Sequence, residues 1–586
     1  MPATQIVLGV LGAGALALTL LASGARVRRA LKVPTWPSLR LPLDFLAGSW
    51  LFATVSLALG LFHLWGVASL IGAAVCLGAL GRFRRTGWRW GPALPSAIAG
   101  LVVVPVAVVT PFFYDALVYH LGLPWQALQE GGLSAHPEDL FAAFPPVAQL
   151  VDAPLVAAGL DRSPALLHWF GFVAAGAALW GLARALGAPK WAALAAGACL
   201  PLLPCSALVP GLPAAEAWCL GGEIAAFALV AHRTWRPGTE ALIGLSAGVA
   251  AAARMQGVPW ALVVLAAVLA RTRRVRPLLV AAGGVLLGSA PWWVKNLVLL
   301  RDPLAPLSWR REGVETLWRD AGSALHLARN ITELIRMAAV ALVPHAAYLA
   351  VLLLAALLAT TVRARASDRI VALAAVTGVG VWGLTGNLPR FLTVSAALLV
   401  GLAAGAGGRS SAGRWVSTAA LGVTLALGLA VSLSETVRWR ALAAAFEPTT
   451  VARAELVVND PFPAFGAART LPGDARVLFV GEPRGFGFPR RFVAPSQHDV
   501  SPLRGVLEAS RAPADACAEL RRQGFTHLLV NWGELARLTG GYPVAPWRDP
   551  AGWRRWTVFV ASLGPPVVDV KGVQVFLLPE QTRPGV

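Results

Sequence analysis

A chain of 586 residues in which 56% are hydrophobic and only 14% are charged has too little polar surface to clothe a soluble globule of that size. The composition therefore specifies a polytopic membrane protein. The formal net charge of +20 falls largely in the turns between apolar runs, so it reports topology and excludes reading the chain as a nucleic-acid binder.

Apolar stretches recur over residues 5–433, and at roughly 20 residues per crossing they predict about 14 transmembrane helices. Residues 201–220 and 241–269 read either as single spans or as hairpins. The first run, residues 5–23, follows a start without a basic region and is expected to be a retained span. Basic clusters at Arg26 to Arg40, Arg82 to Arg89, Arg184 with Lys190, Arg233 with Arg236, Arg271 to Arg276, Arg363 to Arg369, and Arg409 with Arg414 alternate with spans. Keeping all of them on the cytoplasmic side places Asp115, Glu216, Arg254, Lys295, Arg390 and the C-terminal region outside.

Residues 1–92 are expected to form accessory transmembrane helices, and 93–434 a core with two long outer loops, 111–162 and 295–336. In the first loop Leu117, Leu121, Trp125 and Leu128 recur at helical period, predicting a helix along the membrane with a polar edge toward water. The second carries Leu317, Ala321, Leu325, Ala328 and Ile335 on one face, which predicts an interfacial amphipathic helix. From residue 435 hydropathy falls. Arg476 to Val480, Thr526 to Asn531 and Val567 to Leu578 read as strands and Pro513 to Gln523 as a helix, giving a small soluble α/β domain. Its Gly481-to-Gly487 stretch lacks dinucleotide-fingerprint spacing. Cys76, Cys199, Cys205, Cys219 and Cys517 have no metal-ligand spacing; they read as small apolar residues, with a Cys205–Cys219 disulfide as the alternative.

The chemistry gathers on the outer side. Asp115 follows a membrane-length run, where an ionised carboxylate is costly unless solvated or paired. It can act as general base on an acceptor hydroxyl or amine, or cap a helix. Tyr119 shares its helical face and His120 lies beside it; both either orient a ligand or anchor the interface. Glu216 opens a helix, where it serves catalysis, a metal or the helix dipole. Glu223, two turns deeper, calls for a cation. Arg254, Lys295 and Arg390 stand on the side that positive charge avoids, which points to an anionic ligand such as a lipid phosphate, with snorkelling to headgroups as the alternative.

In order along the chain, Tyr114-Asp115-Ala116-Leu117-Val118-Tyr119-His120, Gly131-Gly132-Leu133, Phe144-Pro145-Pro146, Glu216, Arg254, Pro291-Trp292 to Lys295-Asn296 with Asp302-Pro303, and Pro389-Arg390-Phe391 resemble the GT-C superfamily of integral-membrane glycosyltransferases. These are the polyprenyl-phosphate-sugar-dependent enzymes that include protein mannosyltransferases and the aminoarabinose transferase of lipid A. The resemblance covers residues 93–434. It departs where Ala116 follows Asp115, since many members carry adjacent acids there, and so leaves a divalent metal open. The resemblance implies a multi-pass protein of the inner (cytoplasmic) membrane with an extracytoplasmic C-terminal domain. It further implies transfer of a sugar from a polyprenyl-phosphate donor to an unspecified acceptor, with inversion, Asp115 as base, Glu216 as second catalytic acid, and Tyr119, His120, Arg254, Lys295 and Arg390 binding substrate. A transporter or flippase of lipid-linked or anionic substrates, or a non-catalytic member of the family, is the competing reading.

Overall fold

A computed structural model describes residues 2–30, 36–81, 88, 90–309, 365–385 and 388–579. The chain is mostly helical, with one small sheet near its C-terminus. Among the described residues five helices are long and apolar enough to cross a membrane: Pro2–Ala30, Arg40–Leu61, Ser163–Ala185, Pro389–Ala406 and Ser411–Ser434. A sixth candidate is the pair Val275–Gly288 and Ala290–Leu300, bent by 55°. Leu8, Leu11, Leu262, Leu279, Leu286 and Trp415 stay exposed on these and neighbouring helices, a belt that suits lipid and would be a liability in water. The protein is a multi-pass membrane protein.

Among the described residues the long apolar helices do not establish the expected count of about 14 crossings, and proline shortens two of the expected runs. Residues 201–220 do not span: Pro201, Pro204 and Pro210 break the run into single turns at Leu200–Leu202, Pro204–Ser206 and Val209–Gly211. The run before Asp115 is likewise interrupted, as Leu94–Gly100, a tight turn at Leu101–Val103, and Val104–Val108 with Pro105 inside. Residues 241–269 form two short helices, Thr239–Ala253 and Gly257–Thr272, joined at Arg254. The amphipathic helix expected in the second outer loop lies outside the described residues.

One continuous apolar cluster runs from Ala13 to Leu421, and the N-terminal helices share it with the rest. The helices Pro2–Ala30 and Arg40–Leu61 cross so tightly that a Cβ on Gly24 would lie 1.7 Å from Asp44 O, and one on Gly48 would lie 1.8 Å from Leu20 O. Beside this crossing the fully buried Asp44 takes Arg28 Nε at 2.6 Å and Nη2 at 3.1 Å, with Trp88 Nε1 at 2.9 Å. A buried carboxylate so fully bonded is tolerated where a bare one is not. Phe45 stacks on Trp218, whose Nε1 donates to Ser49 Oγ at 3.0 Å, so the second helix braces the helix Glu216–Ala231.

The C-terminal domain holds a five-stranded sheet of order β2-β1-β3-β5-β4, comprising β1 Arg476–Val480, β2 Arg491–Val493, β3 His527–Asn531, β4 Val568–Val570 and β5 Val573–Leu577. β1 pairs in parallel with β2 and β3, while β5 runs antiparallel to β3 and β4. The expected strands and the helix Pro513–Arg522 stand where sequence put them. The helix Gly122–Glu130 of the first loop does not turn its polar edge to water. It lies against this domain, with Trp125 Nε1 bonded to Phe488 O at 2.8 Å and Gln126 Nε2 to Phe492 O at 3.3 Å. Leu140 N also bonds Asp499 Oδ2 at 2.8 Å. The loop is the mortar between the helical core and the sheet domain.

Candidate active site

The apolar run preceding the site ends when Val109 turns to extended backbone, and Asp115 then starts a wide turn over Ala116–His120 in which Leu121 N bonds to Ala116 O, five residues back. Such over-wide turns are rare and cluster at functional sites. Leu117 and Ala116 fix it by burying completely against Phe486 of the sheet domain, whose N–H bonds Leu117 O at 3.2 Å. This leaves Asp115, Tyr119 and His120 lining one cavity.

Two other stretches deliver charge to that cavity and a third stands behind them. Arg254 occupies the break between the two short helices, with its Nε on Gln256 Oε1 at 3.1 Å. Arg390 comes from the single tight turn Pro389–Leu392, whose Arg390 O accepts from Thr393 Oγ1 at 2.6 Å. Glu216 begins the helix Glu216–Ala231 in the second rank, ion-paired to Arg254 Nη1. Arg390 joins the two acids, with Nη2 3.1 Å from Asp115 Oδ2 and Nε 3.9 Å from Glu216 Oε1. The order Asp115, Arg390, Glu216, Arg254 is a ladder of alternating charge. Phe391 lies beneath both guanidiniums, 4.9 Å from Arg254 and 5.6 Å from Arg390, shielding them from water on one side.

Burial, together with these charges, sets the protonation of the neighbouring groups. Burial, reinforced by Arg254 and Arg390, pushes the His120 imidazole well below its ordinary pKa, so it is neutral at pH 7. Burial and then the Asp115 charge push Tyr119 up, so its hydroxyl keeps its proton. Tyr119 lies tilted against Phe141 at 4.4 Å between ring centroids, and His498 lies 5.7 Å further along, giving the cavity an aromatic wall that crosses from the loop into the sheet domain.

The cavity is about 750 Å³, and the sheet domain supplies much of its lining, including Arg484, His498, Glu534, Arg537 and Tyr542. None of these was among the residues expected from sequence. Arg484 is buried with Glu482 at 2.6 Å, and Arg484 and Arg537 flank the Tyr114 ring at 5.6 and 5.4 Å. The signal available was the Gly481-to-Gly487 stretch after β1, since ligands favour the carboxyl ends of parallel strands.

Lys295 is elsewhere. Its Nζ donates to Ala142 O and, at 2.9 Å, to Phe144 O, while Asn296 Nδ2 and Trp292 Nε1 both take Ala143 O at 2.9 and 3.0 Å. The Trp292-to-Asn296 segment thus pins the loop that carries Phe141 and Phe144, and Lys295 does not line the cavity. Glu223 meets Cys219 Sγ at 3.5 Å, and among the described residues no cation pairs with it. All five cysteines are free thiols, so Cys205 and Cys219 form no disulfide. Among the described residues no three His, Cys, Asp or Glu side chains converge as metal donors; Asp115 and Glu216 face arginines.

No family model and no curated protein matches the chain. Among solved structures it is similar to ArnT from Cupriavidus metallidurans bound to undecaprenyl phosphate, at 15% identity over 83% of this chain and 98% of that one, with a TM-score of 0.48. It is also similar to the Archaeoglobus fulgidus oligosaccharyltransferase complexed with Zn and sulfate, at 13% identity over 75% of this chain and 68% of that one, with a TM-score of 0.44. Both are glycosyltransferases of the superfamily the sequence resembles. At these scores the likeness supplies no residue-by-residue correspondence.

Proposed function

We propose that the protein is a membrane glycosyltransferase that moves a sugar from a polyprenyl-phosphate donor to an acceptor at the outer face of the cytoplasmic membrane. The observation carrying this reading is that Asp115, two arginines, a protonated tyrosine and a neutral histidine share one cavity where the helical core meets the sheet domain. A carboxylate beside paired guanidiniums supplies both halves of such a transfer. Asp115 takes the proton of the acceptor O–H or N–H as that atom bonds the anomeric carbon, and the bond from that carbon to phosphate breaks with its electron pair going to the phosphate. Attack opposite the leaving group inverts the anomeric centre. Arg254 and Arg390 offset charge that grows on the departing phosphate, in a setting screened by Phe391.

Tyr119 and His120 border the acceptor side as hydrogen-bonding groups of fixed protonation. Glu216 acts through Arg254 and Arg390. The sheet domain closes the cavity above the membrane and would then face the outside of the cell.

The test is sugar transfer by the full chain in proteoliposomes, using a panel of undecaprenyl-phosphate sugars and a mixed envelope acceptor fraction. Wild type transfers a sugar, and Asp115→Asn loses activity while retaining its unfolding transition. An Asp115→Asn variant with full activity refutes the base assignment.

A further inference from the structure

Arg390 is the joint of the charge ladder, and half of its binding edge is unused. An arginine presents its Nε–H and Nη2–H along one edge, which matches the two oxygens of a carboxylate or phosphate. Arg28 uses that edge fully, placing Nε and Nη2 on the two oxygens of Asp44 at 2.6 and 3.1 Å. Arg390 does not. Its Nη2 holds one oxygen of Asp115 at 3.1 Å, whereas its Nε is buried with no hydrogen-bond acceptor, 3.9 Å from Glu216 Oε1. A buried donor left so is costly, and an arriving anion that spans the edge removes the cost. The side chain is 23% exposed to the cavity while Nε itself is covered, so an anion reaches the full edge only as Asp115 gives it up.

Resting on the glycosyltransferase reading, we infer that Arg390 is a ligand shared in turn: Asp115 holds it before the donor binds, and the phosphate of the lipid donor takes it over. Phosphate oxygens then bridge Nε and Nη2, and Asp115 is released to face the acceptor. No covalent bond changes in this exchange; one ion pair is traded for another. The consequence is an order of events. The base becomes free only when a donor is in place, so an acceptor arriving alone finds Asp115 engaged by Arg390.

Asp115 is on this account a competitor of the lipid phosphate, which gives the exchange a signature that a plain base lacks. The experiment measures binding of undecaprenyl phosphate to the purified full chain in detergent, for wild type, Asp115→Asn, Arg390→Gln and the double variant, with thermal unfolding as a check on folding. Asp115→Asn is expected to bind about two- to fivefold more tightly, the strength of one partly exposed ion pair. Arg390→Gln binds more weakly, and adding Asp115→Asn to it gives no further change. If Asp115→Asn binds no more tightly than wild type, the exchange is refuted while the transfer assay still judges the base. If it tightens binding equally with Arg390 absent, the cause is charge repulsion and the shared arginine is again refuted. If wild type binds no undecaprenyl phosphate, the donor assignment falls together with the inference. Asp115→Ala supplies the same comparison should the asparagine variant fail to fold.

Discussion

Trp125 and Phe488 join two parts of the chain 363 residues apart, through an indole N–H that donates to a backbone carbonyl at 2.8 Å. Trp125 also sets its ring edge-on to Phe486 at 5.7 Å. Trp125→Phe keeps an aromatic ring and drops the donor, at a cost of about 1 kcal/mol, the usual net worth of one hydrogen bond. Trp125→Ala forfeits the ring as well and is expected to undock the sheet domain, seen as faster cleavage before Arg476 in limited proteolysis. An unchanged digestion pattern in the alanine variant would show that this contact does not hold the domain.

Glu216 carries two guanidiniums on one carboxylate, so its removal is felt twice. Breaking a fully buried pair costs about 3–5 kcal/mol. Less is expected for Glu216→Ala, since Arg254 and Arg390 are 15% and 23% exposed. Glu216→Gln retains an acceptor oxygen and falls between alanine and wild type. Thermal unfolding in detergent measures the series, and equal midpoints for all three would mean the pairing is energetically idle.

Lys295 separates the carbonyl-clamp role from anion binding. Lys295→Met leaves the carbonyls of Ala142 and Phe144 without their donor and is expected to cost about 1–3 kcal/mol. Undecaprenyl phosphate affinity is expected to stay within experimental error of wild type. A large loss of affinity without loss of stability would return Lys295 to the phosphate site.

His136 makes stability depend on alkaline pH. Burial alone would lower it, but Glu130 and Glu138, each 3.1 Å away, push it up to about 10 from 6.5. A group whose folded pKa is raised adds stability that is complete below its unfolded value and disappears as pH climbs through the folded value. Unfolding midpoints of wild type should therefore fall between pH 6.5 and about 10. His136→Gln should start lower at pH 6 and show a shallower fall. Parallel curves for the two proteins would contradict the assignment.

Orientation can be read with single cysteines placed in a Cys76→Ser background. Arg511→Cys, exposed on the sheet domain, is expected to react with a membrane-impermeant maleimide on intact spheroplasts. Arg233→Cys, exposed in a basic turn, should react only after permeabilisation. The reverse pattern overturns the outer-face placement of Asp115.

How much of this was legible depends on the range of each signal. Asp115 announced itself locally, as a carboxylate at the end of an apolar run, and Arg254 and Arg390 did so by standing where positive charge is disfavoured. Lys295 sent the same local signal, yet its partners are carbonyls about 150 residues away, and no periodicity encodes a loop folding back onto a helix. Arg484, Arg537 and Tyr542 were invisible for the converse reason: polar residues in a soluble domain are ordinary until docking brings them over Tyr114. Strands β1 and β3 were readable from continuous apolar runs, whereas residues 201–220 misled because hydropathy sums over prolines that break the helix.

Asp44 also bears on how the chain enters the bilayer. Its counter-charge, Arg28, belongs to the preceding helix, and Gly24 lets the two helices close onto each other at Asp44 O. The second helix inserted without the first would carry that carboxylate unpaired near its start. Deleting the first helix is therefore expected to destabilise the second, an effect that Asp44→Asn should partly relieve because a neutral amide needs no counter-charge.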